Sequence, residues 1–237
     1  MAFYSDFAGS YEEIFPFRAP AAAFLDRWLP AAGRILDVGC GTGRYCRHLD
    51  GTGRSCVGID LDPGMVEEAH RLHPAGDFRI MGMAEIGLLG PGTFDGVFCI
   101  GNVLPHLPAD GLAAFLGAVR GLLRPGGVWL WQTVNFDPLL QRGDHDFPPV
   151  VAGEGALVFH RSYRDITPAT LRFVTVLERD GDELFRGETL LYPRTGADLV
   201  AGHRAAGFRL LAHVADWAGA PYVPATSGGS VAVWSRS

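Results

Sequence analysis

The sequence predicts an α/β fold: a doubly wound, mostly parallel sheet with an antiparallel β insertion after the fifth strand. Three observations predict it. Short apolar, β-branched runs alternate with helical stretches through about the first 135 residues. A glycine-rich stretch, "GCGTG", follows the first of those runs. Residues 156–192 then read as strands with no helix between them. Strands that are apolar on both faces and separated by helices are those of a parallel sheet covered on both sides.

Each element follows from its own residues. In 18–32, "RAPAAAFLDRWLPAA", Phe24, Leu25, Trp28 and Leu29 recur at helical spacing. "GRILDV" (33–38) is a short strand, "GRYCRHL" opens the next helix, and "SCVGID" (55–60) is the second strand. "DPGMVEEAHRL" (62–72) is a helix with Asp62 as N-cap and Pro63 at its first position. "DFRIM" (77–81) is the third strand, and "FDGVFCI" (94–100) is a fourth, apolar enough to be central. "PADGLAAFLGAVRGLL" (108–123) is a helix closed by "RPGG", and "VWLWQTV" (128–134) is the fifth strand. In the insertion, "ALVFHRSYRDI" (156–166) precedes "ATLRFVTVLERDGDELFRGETLLY" (169–192), in which Asp180-Gly181 is a two-residue hairpin signal. A helix over 195–206 and two closing strands, "FRLLAHVADW" (208–217) and "GSVAVW" (229–234), bring the sheet to seven strands. The 237 residues fit one domain, 1–237, with 145–193 as an antiparallel lid or insertion within it.

Composition narrows the partners. With 48% hydrophobic and 19% charged residues the chain has the make-up of a soluble globular protein. The formal net charge is −6 and no basic run occurs, so a nucleic-acid footprint is missing. No apolar run reaches the roughly 18 residues needed to span a bilayer, and no membrane partner is expected. The first residues show no basic leader followed by an apolar stretch, and Cys40, Cys46, Cys56 and Cys99 form no CxxC pair. They read as reduced thiols of a cytoplasmic protein.

The stretch "RILDVGCGTGRYC" (34–46) places Gly39, Gly41 and Gly43 where a strand hands over to a helix. Bare backbone lets a ligand approach the main chain, and open α/β sheets bind ligands beyond the C-terminal ends of their strands. A dinucleotide fingerprint would read GxGxxG; here the third glycine comes one position early and is followed by Arg44.

"ILDVGCGTG" (35–43) resembles the first motif of class I methyltransferases that use S-adenosylmethionine. The likeness continues in order through "VGID" (57–60), "FDGVFCIGNVLPHL" (94–107) and "LLRPGG" (122–127). It implies a Rossmann-like sheet whose last strand is antiparallel, S-adenosylmethionine as cofactor, and S-adenosylhomocysteine as product. By this resemblance Gly39, Cys40, Gly41 and Gly43 pack on the amino-acid and ribose part of the cofactor, with Ile100 at the end of the fourth strand. Asp60, 17 residues beyond Gly43, can accept from both ribose hydroxyls. Because Asp62 already caps the following helix, Asp60 is expected to be free for ligand. Leu61 and Met65 would supply apolar surface to the adenine. Relatives often carry Gly-Asp after the third strand, whereas "MGMAEI" (81–86) puts Met83 at the acid's place and leaves the backbone of Met83 and Ala84 for the ring. The cofactor's ammonium and carboxylate need partners of opposite sign. Asp37 is expected to hold the first. Arg18 is expected to hold the second, as an arginine does in the glycine N-methyltransferase branch. Tyr11 resembles an N-terminal tyrosine that closes over cofactor or acceptor.

Methyl transfer from a sulfonium is an in-line displacement, for which alignment and exclusion of water matter most. "GNVLPHLP" (101–108) lacks the (N/D)PP(Y/F) and Pro-Cys motifs of nucleobase methylation. Its "GN…HL" pattern resembles small-molecule methyltransferases, among them glycine and aminosugar N-methyltransferases. Carried over, Asn102 holds the acceptor or its carboxylate. His106 is the one histidine placed to act as a base, against a structural role packing on the loop. "FHRSYRD" (159–165) sets Arg161 and Tyr163 on one face of a strand, where they bind an acidic or aromatic acceptor if that face looks into the site. "GDHDF" (143–147) reads as a solvated turn, and no metal is expected. The expected function is N- or O-methylation of a small molecule by a monomer or homodimer. A non-catalytic cofactor-binding protein, favoured by Met83, and an NAD-dependent oxidoreductase are the alternatives.

Overall fold

The structure, a computed structural model, describes residues 5–108 and 110–237. A 3-10 segment (Ser5–Ser10) and one helical turn, α1 (Tyr11–Ile14), lead into α2 (Ala19–Trp28). The alternating part follows: β1 (Gly33–Val38), α3 (Arg44–Asp50), β2 (Arg54–Asp60), α4 (Pro63–Leu72), β3 (Asp77–Ile80), β4 (Phe94–Cys99), α5 (Gly111–Leu122) and β5 (Leu123–Val134). Next come α6 (Leu139–Arg142), β6 (His145–Asp146), β7 (Val150–Ala152), β8 (Leu157–Arg164), β9 (Leu171–Arg179) and β10 (Asp182–Leu191). The chain closes with α7 (Gly196–Ala205), β11 (Phe208–Val214) and β12 (Gly229–Arg236).

The main sheet has seven strands in the order β11-β12-β5-β4-β1-β2-β3. Strands β1 to β5 pair in parallel, and β12 runs antiparallel to both β5 and β11. Side chains alternate between its faces. Leu36 and Val38 pack with Phe115, Leu116 and Val119 of α5, while Ile35 packs with Phe24 and Leu25 of α2. Both faces are therefore apolar, which is why these strands show no polar side in the sequence.

Element ends depart from the sequence reading for local reasons. The first long helix stops at Trp28 because Leu29 precedes Pro30 and is driven to an extended conformation (φ −77°, ψ 149°). "RPGG" does not separate a helix from a strand: β5 already pairs at Leu123, and the register shifts between Phe94 and Gly96 to absorb those residues. Ala109, placed by sequence in the first turn of the preceding helix, lies outside the described residues. The strand predicted to run to Trp217 ends at Val214, beyond which the Asp216 carboxylate accepts from the N–H groups of Ala218 and Ala220 and turns the chain.

The insertion forms a second, antiparallel sheet in the order β10-β9-β8-β6, with β7 also on β8. Its β9–β10 hairpin turns at Asp180 (φ 53°) and Gly181 (φ 90°), both left-handed, as a two-residue hairpin loop requires. Two short strands, β6 and β7, carry no signal that the sequence reading caught. The inner face of this sheet packs Leu157 and Phe159 on Phe7 and Ile14, and Tyr163 on Phe136 and Leu139. It is bound to the ends of β4 and β5 by the Tyr192 N–H, which donates to Pro105 O (2.8 Å), and by an Asn102–Tyr163 hydrogen bond. The second sheet thus covers the C-terminal end of the first.

Candidate active site

The glycine loop begins where β1 ends. The N–H groups of Gly39 and Cys40 both donate to Ile59 O (2.8 and 2.9 Å), which fastens the loop to β2. Gly39, Gly41 and Gly43 adopt φ of +77°, +54° and +78°, a region that side chains rarely enter. A Cβ on Gly39 would lie 2.6 Å from Val103, and one on Gly43 would lie 2.4 Å from the Phe78 ring. Packing as well as backbone conformation therefore demands glycine at those two positions. At Gly41 a Cβ would meet only Tyr11, at 3.5 Å.

Asp60, expected to bind ligand alone, also holds the loop. Its two oxygens accept from the Gly41 N–H (2.9 Å) and the Asp62 N–H (3.0 Å). The carboxylate props the glycine loop, with the Leu61 backbone also bonded to it, and its roughly four acceptor sites leave room for a ligand. Burial raises its pKa, partly offset by those hydrogen bonds. Asp62 does cap α4, accepting from Gly64 N (3.0 Å) and Met65 N (3.3 Å).

A cavity of about 560 Å³ opens beyond the strand ends. Asp37, Gly39 and Cys40 from β1, Ile100, Gly101, Asn102 and His106 after β4, and Gln132 and Val134 from β5 form its floor. Tyr11, Phe15, Arg18, Arg44 and Tyr45 form one wall, and Phe147, Phe159, Arg161, Tyr163 and Phe173 of the insertion form the roof. Its size is that of a small-molecule site.

Two groups of opposite charge type line this cavity. Asp37 is 2% exposed; Cys46 Sγ lies 3.7 Å from its Oδ2, and Oδ1 has no partner. Burial, with the Asp60 charge beside it, raises its pKa well above the carboxylate range. Arg44, the residue after the third glycine, lies over the Tyr11 ring (5.3 Å) and 3.9 Å from Glu12. Its Nη2 is buried with no partner. Sequence reasoning passed over Arg44 as a mere departure from a dinucleotide fingerprint; its position directly after the glycines was the available signal. Arg18 lies on the exposed rim of the same wall. Tyr11 is buried enough that its hydroxyl pKa is pushed up to about 12.

The acceptor-side residues come together as well. Asn102 adopts φ 66°; its Nδ2 donates to Tyr163 Oη (3.0 Å) and its Oδ1 accepts from Val134 N (2.9 Å), which leaves one N–H. Burial holds the His106 pKa down at about 4, so its imidazole is neutral at physiological pH. Arg161 and Tyr163 share the inner face of β8 and both line the cavity. Burial raises the Tyr163 pKa. Gln132, missed by sequence, fixes the β4 loop by accepting from the Gly101 N–H (2.8 Å).

The residues assigned to adenine lie outside that cavity, beyond β2 and β3. Leu61 is 68% exposed and Ala84 is exposed, while Met83 packs partly on the core and Met65 is buried. "GDHDF" is used in pairing: β6 lies on β8, Asp146 pairs with Arg164, and the His145 ring meets Phe147 edge-on (4.6 Å). Among the described residues no three His, Cys, Asp or Glu side chains gather as metal ligands, and no helix is long and apolar enough to cross a membrane.

Comparison with known proteins adds a domain match and a shared fold. Residues 35–127 match the family model described as a methyltransferase domain. The ubiquinone biosynthesis O-methyltransferase of Xanthomonas campestris is 38% identical over 115 residues, covering 46% of this chain and 46% of that protein. The chain thus aligns with about half the length of this relative. The CcbJ methyltransferase of Streptomyces caelestis superposes with a TM-score of 0.81 at 23% identity, covering 99% of this chain and 97% of that one. The sugar N-methyltransferase KedS8 of Streptoalloteichus gives 0.68 at 23% identity, covering 95% and 90%. Residues 35–127 thus match a methyltransferase domain, and the sheet order over the whole chain is that of the methyltransferase fold.

Proposed function

We propose that the chain transfers a methyl group from S-adenosylmethionine to the nitrogen of a small-molecule amine. The observation that carries this reading is the pair Asp37 and Arg44, each with a buried polar atom lacking a partner, on the wall of one cavity beside the glycine loop. Each such atom costs about 1–3 kcal/mol. The ammonium and carboxylate of an amino acid would satisfy both, so the residues present fit the cofactor. When bound, S-adenosylmethionine supplies an electrophilic methyl on a sulfonium. Asp37 would hold its ammonium, Arg44 with Arg18 its carboxylate, and Asp60 its ribose hydroxyls through the lone pairs the loop leaves open. Leu61 and the backbone of Met83 and Ala84 would meet the adenine.

Nitrogen is favoured over oxygen because, among the described residues on the acceptor side, His106, Tyr11 and Tyr163 are not matched to take a proton near neutral pH. His106 is held at about 4, and the Tyr11 and Tyr163 hydroxyls are shifted upward. A neutral amine attacks without such a base, whereas a phenol or alcohol must lose its proton. The covering sheet excludes water and Asn102 orients the acceptor through its remaining N–H.

Calorimetry with S-adenosylmethionine, S-adenosylhomocysteine and NAD, followed by mass spectrometry of reactions with a panel of amines and phenols, tests the reading. The first two should bind and NAD should not, with methylated product from amines. Binding of NAD alone, or product confined to phenols, would refute it. His106→Ala should leave amine methylation within about threefold, where a base-dependent reaction would fall by about 100-fold.

A further inference from the structure

We infer that the methyl acceptor carries an anionic group, a carboxylate or a phosphate, that docks on Arg161 beneath the antiparallel sheet; this rests on the methyltransferase reading above. Arg161 lies on the inner face of β8 between Phe159 and Tyr163, all three lining the cavity. Its guanidinium sits over the Phe147 ring (5.4 Å), and one Nη donates to Pro148 O (3.2 Å). Its Nε is buried with no partner. Among the described residues no carboxylate pairs with it; burial lowers its pKa, and what opposes the shift is the Tyr163 hydroxyl, not a carboxylate.

Three other arginines of this sheet show what is missing. Arg164 pairs with Asp146, Arg172 with Asp165 and Glu188, and Arg186 with Glu183. Those pairs are exposed and would be solvated regardless. Arg161, which lines the cavity from this sheet, lacks a carboxylate, and a guanidinium does not discharge by losing its proton. Its planar fork of donors matches the oxygens of a carboxylate or phosphate. The cofactor's own carboxylate is served at the glycine-loop end by Arg44 and Arg18. Arg161 instead stands two residues from Tyr163, about 7 Å along the strand, and Tyr163 is hydrogen-bonded to Asn102 at the end of β4. An anion there lies within one small-molecule length of the acceptor position, and the aromatic wall around it suits a ring or short apolar spacer.

Calorimetric titration of the full chain loaded with S-adenosylhomocysteine tests this, using benzoate, phenyl phosphate and the neutral benzamide as probes. At least one anion should bind about tenfold or more tighter than benzamide, as expected for a hydrogen bond to a charged group. The tighter of the two identifies a carboxylate or a phosphate seat. Arg161→Gln should abolish the preference while leaving S-adenosylhomocysteine affinity within about twofold. Arg161→Lys, which keeps the charge, should retain part of it, and carries the test if the glutamine variant does not fold. Equal or undetectable binding of anions and benzamide overturns the inference. A preference that survives Arg161→Gln does the same, as does a folded glutamine variant that loses the cofactor product. If the unaltered chain fails to bind S-adenosylhomocysteine, the methyltransferase reading itself falls, so the two failures are distinct.

Discussion

Asp37 combines a cost and a use in one side chain. Its folded pKa lies above the unfolded value of 3.8, so between those two values the native state binds more protons and stability falls as pH rises. Asp37→Asn removes that loss. Its melting temperature without ligand should exceed the parent's at pH 8 by about 2–4 °C for each 1 kcal/mol relieved, with the difference shrinking toward pH 4. The same variant should lose about tenfold or more in S-adenosylhomocysteine affinity, since a neutral amide pairs poorly with an ammonium. Arg44 and Arg18 can be separated by the same calorimetric readout. Arg44→Gln should weaken binding by about tenfold, and Arg18→Gln by less, because the Arg44 Nη2 is buried without a partner whereas Arg18 sits on the exposed rim.

The strand–loop–helix unit from β1 to α3 is the element on which the cofactor reading depends, and its glycines differ in how they are constrained. Gly43 has both a left-handed φ and the Phe78 ring where a Cβ would go. Gly53 has a φ of +88° with open space around it. Gly43→Ala should therefore destabilise by more than about 2 kcal/mol, and Gly53→Ala by about 1 kcal/mol, as measured by urea unfolding. A similar loss in both would mean that conformational strain alone, without the contact to Phe78, sets the cost. The covering sheet is a second such element: alternation along β8 turns Phe159, Arg161 and Tyr163 inward, so a one-residue register slip would remove all three from the cavity at once.

Acid response belongs to the whole molecule, because it involves both apolar layers and the site. His106 at the cavity and His203 in the core are each held at about 4 by burial. His203 accepts from Trp129 Nε1 (2.9 Å), donates toward Leu199 O (2.6 Å), and stacks on Trp234 (4.7 Å). Protonation would set a second N–H against the Trp129 donor. For both histidines the folded pKa lies below the unfolded 6.5, so the stability they contribute is complete above about pH 6.5. It is lost toward pH 4 at about 1.4 kcal/mol per pH unit for each histidine. Urea midpoints measured from pH 7 to pH 4.5 should fall accordingly, and His203→Gln should flatten the decline while lowering the midpoint at pH 7. Asp37→Asn should tilt the profile the opposite way; parallel profiles for all three proteins would refute the assignment.

The order of strands and helices, the Asp62 cap, the Asp180-Gly181 hairpin and the position of the glycine loop were legible in the sequence. All are set by contacts between residues close along the chain or by the periodicity with which apolar side chains recur. What the sequence alone could not decide was which polar groups end up without partners. Asp60 looked free of structural duties and also accepts from the N–H groups of Gly41 and Asp62. Arg44 looked incidental and has a buried, unpaired nitrogen. Asn102 looked like an acceptor ligand and also holds β5 and β8 together. Arg161 and Tyr163 were known to share a face, but only the way the second sheet folds over the first turned that face inward. Satisfaction of a buried polar atom depends on every element that approaches it in space, and such neighbours, up to 61 residues apart for Asn102 and Tyr163, leave no local trace in the sequence.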